Sequence, residues 1–95
     1  MRKGTTSSGF PFEFDEQRAN DMRVLRYIRD LIDDAATPLQ RTAALVDLPV
    51  LLLGNAQTDA LYAHLGALHE GRVPPADLER ELTEIMQSGG DAVKN

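Results

Sequence analysis

The chain has 95 residues, a net charge of −5 and no cysteine. Its length fits one small domain. Its acidic balance argues against partners such as nucleic acid or an anionic membrane, which both attract Lys and Arg. Without cysteine there is neither a disulfide framework nor a cysteine-ligated zinc site. The N-terminal residues also lack the apolar run of a signal peptide, so we expect a cytoplasmic protein.

The N-terminal residues divide into two segments. Residues 1–9 are small and polar, so we expect them to be disordered. In residues 10–14, Phe10, Phe12 and Phe14 alternate, and an extended backbone puts these rings on one face. This arm could pack on the chain's own helices or dock on a neighbouring subunit. Because three rings are hard to bury in so small a protein, we predict that the arm contributes to self-association of the protein or to binding of a partner.

The first predicted helix runs from Asp15 to Asp33, with Asp15 or Asn20 as its N-cap. Apolar residues fall on one half of its helical wheel and arginines on the other. The arginines are Arg18, Arg23, Arg26 and Arg29. They form either a solvated surface balanced by nearby aspartates or a rim for an acidic partner. Together with the three phenylalanines, they are the candidate partner-binding residues.

Capping signals divide the middle of the chain. Thr37 followed by Pro38 predicts the start of a helix. Asp47-Leu48-Pro49 predicts a restart, and Gly54 a stop, with Asn55 as the next N-cap.

The remaining signals complete the predicted fold. Gly71 ends the helix that Asn55 begins, which carries leucines along one side. Pro74-Pro75 begins the last helix, and Ser88–Gly90 ends it. We therefore predict an all-α fold with four to five short helices. It is a single domain over residues 10–88, with an extended arm at 10–14 and a flexible tail at 89–95. The predicted core comprises Val24, Leu25, Ile28, Leu31, Leu45, Leu52, Leu61, Leu65, Leu78, Leu82 and Ile85.

Residues that could carry catalysis are few and poorly placed in the sequence. His64 and His69 are five apart, about 140° on a helix, so they cannot share one metal ion. Ser8 has no base nearby in sequence, and Glu79 and Glu81 resemble ordinary surface carboxylates of a helix. No nucleophile, phosphate-binding or metalloprotease motif occurs. We expect no enzymatic activity, no cofactor and no metal.

Several short motifs follow one another in a characteristic order. They are an F-x-F-D/E arm at residues 12–16, a D-M-x-x-L-x-x-I helix at 21–28, L-L-L-G-N-A-Q at 51–57, G-R-V-P at 71–74 and E-L-x-E-I at 81–85. This order resembles that of the small tail assembly chaperones of long-tailed bacteriophages and their prophages.

The resemblance implies a non-enzymatic role. Such a chaperone binds the tape measure protein, keeps it soluble and helps to recruit tail tube subunits. A small helical domain would offer an apolar groove or arm to an amphipathic segment, and self-association is compatible with that role. Two alternatives remain open: a small helical regulator or adaptor that binds another protein, and a helix-turn-helix DNA-binding factor. The acidic charge argues against the second.

Overall fold

The computed structural model describes the backbone of residues 1–94 and the side chains of residues 1–88. The elements are β1 (Arg2–Thr5), β2 (Pro11–Phe14), α1 (Glu16–Ala19), α2 (Met22–Ile32), α3 (Pro38–Leu68) and α4 (Pro75–Lys94). Helices hold most of the chain, which confirms the mainly helical prediction. The all-α class is corrected by a two-stranded antiparallel sheet at the N-terminus. No helix in the described part is long and apolar enough to cross a membrane.

The N-terminal segment forms a β-hairpin, so the prediction that residues 1–9 are disordered is wrong. β1 pairs antiparallel with β2, and Gly4 lies opposite Phe12. A Cβ atom on Gly4 would lie 2.8 Å from the Phe12 ring, so this close approach requires glycine. The turn is closed by hydrogen bonds from Thr6 N to Phe10 O and from Gly9 N to Thr6 O, each 2.9 Å.

The three phenylalanines belong to the chain's own core. Phe10, Phe12 and Phe14 are 4–5% exposed and pack in the hydrophobic cluster that the described residues of the helices form. The Phe12 and Phe14 rings stack with centroids 6.3 Å apart. The argument that this small body could not bury them is therefore wrong, and the arm offers no exposed rings to a partner.

The predicted first helix is two helices with separate caps. The Asp15 carboxylate accepts from Gln17 N at 2.9 Å and begins α1. The Asp21 carboxylate accepts from Arg23 N at 2.8 Å and begins α2. Asn20 ends α1 and caps no helix N-terminus. Two capping aspartates so close together each satisfy a first-turn amide, which stabilises a restart between them.

α3 begins as predicted, and of the two interruptions predicted within it only the one at Gly54 occurs. Thr37 and Gln40 form a reciprocal capping box, which confirms the start. The predicted restart at Asp47 is wrong because the helix continues through Pro49. The break lies at Gly54, whose φ of 83° and ψ of 169° favour glycine. Gly54 itself carries the non-helical backbone, so Asn55 is not the cap.

The turn between α3 and α4 follows the prediction. Gly71 N donates to Gly66 O at 2.7 Å, the six-to-one hydrogen bond of a Schellman motif. α4 begins at Pro75, as predicted. The predicted stop at Ser88–Gly90 is wrong because α4 extends to Lys94; glycine lowers helix propensity by about 1 kcal/mol without forbidding helix. The predicted flexible tail comprises residues 89–95. The side chains of all seven residues, and the backbone of residue 95, lie outside the described part.

Most of the predicted core is confirmed. Eight of the predicted residues are buried, Ile28 and Leu45 are partly buried, and Leu25 is 48% exposed, so its assignment is wrong. The buried eight are Val24, Leu31, Leu52, Leu61, Leu65, Leu78, Leu82 and Ile85. Besides the three phenylalanines, the prediction missed Ala44, Leu48 and Leu53.

Candidate interaction surface

One side of α2 exposes large apolar residues. Met22 is 74% exposed, Leu25 48% and Ile32 76%. At about 100° per residue, positions 22, 25, 29 and 32 fall within roughly 80° on the helical wheel. The apolar residues of α2 thus divide between two sides, and Val24 and Leu31 lie on the buried one. Periodicity alone did not show which side the rest of the fold would cover.

The exposed charges of α2 are all positive. The helix contains Arg23, Arg26 and Arg29, all exposed, and its single acid, Asp30, is 7% exposed. These arginines line one shallow surface depression together with Met22 and Leu25, and the exposed Ile32 lies on the same side of the helix. We call this surface the α2 face, and its residues are Met22, Arg23, Leu25, Arg26, Arg29 and Ile32.

The arginines of the α2 face differ in their existing partners. Arg23 pairs with the Asp21 carboxylate at 2.7 Å, and this hydrogen bond lowers the pKa of Asp21. Arg29 pairs with Asp30 at 3.1 Å. Arg26 forms no ion pair with the side chains of residues 1–88. Its charge is therefore the one most readily available to an incoming carboxylate.

Arg18 does not belong to this surface. Its Nη1 donates to Leu51 O at 3.3 Å, and its guanidinium lies beside Gly54. Arg18 thus connects α1 to the interruption in α3. The four arginines predicted as one surface are therefore three on the α2 face and one that contacts α3.

α2 is held on α3 by polar contacts as well as by its core. Tyr27 Oη donates to Asp47 Oδ2 at 2.6 Å. Arg41 donates to Leu31 O at 3.2 Å and to Asp33 O at 2.9 Å, which satisfies carbonyls at the end of α2. The α2 face is therefore presented on a helix fixed along its length.

A second candidate region, missed from the sequence, is a buried polar cluster beneath the hairpin turn. Glu81 is 0% exposed, and its Oε1 accepts from Thr6 Oγ1 at 2.7 Å and from Ser8 Oγ at 2.9 Å. Its Oε2 has no hydrogen-bond partner among the described residues. The prediction that Glu81 lies on the surface is wrong. On the α4 wheel Glu81 lies about 40° from Ile85, at the edge of the apolar stripe, and this was the available signal.

A base also lies near Ser8 in space, although none is near in sequence. Ser8 Oγ is 3.1 Å from His64 Nε2, which also lies 3.1 Å from Ser8 O. In a catalytic triad the acid orients the histidine; here Glu81 accepts from the serine hydroxyl instead. The cluster joins the hairpin turn to α3 and α4. His69 is engaged elsewhere, with Asp77.

Comparison with protein-family models, with curated proteins and with solved structures found no match to this chain. The two regions are therefore interpreted from their own geometry. The Glu81 cluster satisfies groups within the fold, whereas the α2 face leaves apolar side chains exposed without a partner among the described residues.

Proposed function

We propose that this protein is a non-enzymatic tail assembly chaperone that binds the tape measure protein, keeps it soluble and helps to recruit tail tube subunits. The observation that carries the proposal is the α2 face, an apolar stripe with arginines within and beside it, on a helix fixed to the core. The order of motifs in the sequence supplies the phage context.

The mechanism is shielding of apolar helical surface. A long helical protein that is not yet assembled exposes an apolar stripe, which drives aggregation in water. The α2 face offers a matching stripe, and an amphipathic helix can lay its apolar side against it. The net charge of −5 then keeps the complex soluble by repulsion between complexes.

The size of the α2 face implies several copies per partner. Its stripe from Met22 to Ile32 spans about 15 Å at 1.5 Å per residue. One copy therefore covers about three turns of a partner helix. So small a contact binds weakly, and a long partner gains stable coverage from many copies that act together.

A small helical regulator or adaptor is the second candidate, because the same face could dock one amphipathic helix of a single folded partner. The two functions differ in stoichiometry. A chaperone coats a long chain with many copies, whereas an adaptor forms a complex of fixed small composition.

Co-expression tests the proposed function. The partner is the long coiled-coil product of a neighbouring gene, and its soluble fraction is measured with and without this protein. We expect this protein to raise the soluble fraction and to co-elute in several copies. Leu25→Ser combined with Ile32→Ser should abolish both effects, whereas Leu39→Ser, on a 78% exposed leucine outside the α2 face, should not.

Two results contradict the proposal. One is a partner that is equally soluble with and without this protein and forms no complex with it. The other is a one-to-one complex, which would favour the adaptor function.

A further inference from the structure

We propose that the α2 face selects an acidic amphipathic α-helix, with carboxylates beside its apolar stripe. The proposed function supplies a helical partner, on which this inference rests, and the inference adds the chemistry of the segment that is bound. The inference is drawn from the charged side chains around the apolar residues of the α2 face.

The charge argument rests on the arrangement along α2. Arg29 lies within the stripe, Arg26 and Arg23 lie along one side of it, and the one acid of the helix is buried. A partner with carboxylates beside its leucines would pair with these arginines as its apolar side chains pack. A partner with lysines there would bring like charges together as water is excluded, which opposes binding.

Arg26 is the residue expected to carry most of this selectivity. Arg23 and Arg29 already contact Asp21 and Asp30, so a new carboxylate must compete with existing pairs. Arg26 forms no such pair within residues 1–88, so it gains a full interaction on binding. Exposed ion pairs are individually weak, and Arg26 therefore adds selectivity to an affinity that comes from apolar contact.

The same charges argue against other occupants. A second copy that docked α2 against α2 would bring two sets of three arginines together, which is unfavourable. An extended anionic membrane would meet the acidic rest of the chain as well as these arginines, and the net charge of −5 opposes that contact, whereas a single helix contacts the α2 face alone. An acidic amphipathic helix can pack its apolar side chains on the stripe and pair its carboxylates with the arginines.

Two synthetic peptides of about 20 residues test the selectivity, since helices shorter than about 15 are marginal in water. Both carry leucine at positions i, i+3, i+7 and i+10. One has glutamate beside the leucines and the other has lysine. Affinities for the full chain are measured by calorimetry, and helix content by circular dichroism. We expect the glutamate peptide to bind at least about tenfold more tightly than the lysine peptide.

Charge reversal provides the matched control. Arg26→Glu should weaken binding of the glutamate peptide about fivefold and strengthen binding of the lysine peptide. Arg72→Glu changes the net charge equally at an exposed residue outside the α2 face and should change neither affinity. Both substitutions are on exposed side chains, and unchanged melting temperatures would show that the fold is intact.

Four results would overturn the inference: equal binding of the two peptides, no binding of either, loss of a solution dimer in Leu25→Ser, or stronger attachment to anionic vesicles than to the glutamate peptide. The third would assign the α2 face to a second copy and the fourth to a membrane. If the peptides show no selectivity but the coiled-coil partner is solubilised, the inference fails and the chaperone function stands. If the glutamate peptide binds selectively but the solubility of the coiled-coil partner is unchanged, the chaperone function fails and the inference stands.

Discussion

Replacing Thr6 with valine tests the cluster that joins the hairpin turn to α4. Thr6 Oγ1 donates to Glu81 Oε1 at 2.7 Å and accepts from Phe10 N at 3.1 Å. Valine has nearly the same shape but no hydroxyl, so it removes both hydrogen bonds, together with the 3.1 Å contact between Thr6 Oγ1 and Ser8 Oγ, and leaves little cavity. The buried Glu81 carboxyl then keeps Ser8 as its one remaining side-chain donor among the described residues.

The expected loss of stability follows from the hydrogen-bonding groups that Thr6→Val leaves without a partner. A hydrogen bond contributes about 0.5–3 kcal/mol, depending on the charge of its partners, and a buried N–H without an acceptor costs about 1–3 kcal/mol. Because the turn can relax, the two losses overlap, and we expect the free energy of unfolding to fall by about 2–4 kcal/mol. A chain of this length has a total stability on the order of 5–14 kcal/mol, so the loss is large.

Urea unfolding followed by far-UV circular dichroism measures this change. Thr5→Val is the matched control, because Thr5 is the exposed neighbour in β1 and makes no side-chain hydrogen bond within the described part. It should shift stability by less than about 0.5 kcal/mol. In a Glu81→Leu background, Thr6→Val should cost less than in the parent, since its partner is gone. Equal stability of the Thr6→Val and Thr5→Val proteins would refute the reasoning.

Three further predictions concern other parts of the fold. Phe12→Ala should lower the free energy of unfolding by about 3–5 kcal/mol because the ring is buried; urea unfolding checks this, and a smaller loss than for Leu25→Ala would contradict it. Gly54→Ala should cost about 1–3 kcal/mol through backbone strain alone, since the new Cβ meets Arg18 at an ordinary 3.7 Å; unchanged stability would contradict the interrupted α3. The hydrogen bond to Asp47 raises the pKa of Tyr27 above 10.0, so its stabilisation is complete below pH 10.0 and is lost as pH rises through the folded pKa. Absorbance titration of a Tyr62→Phe protein isolates Tyr27, and a midpoint at or below 10.0 would contradict the contact.

Local signals were readable from the sequence. Thr37 with Pro38 and the Gly71 turn depend on residues within a few positions of each other, and the structure confirms them. The cap at Asp15 is also confirmed, but a second aspartate, Asp21, divides the helix that follows. Such features arise from backbone groups that neighbouring side chains satisfy.

Features that depend on distant residues were not readable. β1 has no alternating apolar pattern, and it forms because β2 supplies its hydrogen-bonding partner. Glu81 is buried because Thr6 and Ser8, more than 70 positions away, provide hydroxyl donors. Leu25 is exposed because no part of the described chain covers that side of α2, and a helical wheel cannot show which side neighbours will occupy.

Amide chemical-shift mapping of the full chain tests the central claim most directly. The glutamate peptide is added to uniformly ¹⁵N-labelled protein and the shifts are assigned by residue. If the α2 face binds helical segments, the largest changes should lie in Met22–Ile32, with little change in the hairpin of β1 and β2. Changes concentrated in Arg2–Phe14, or binding that leaves the α2 amides unperturbed, would contradict the claim.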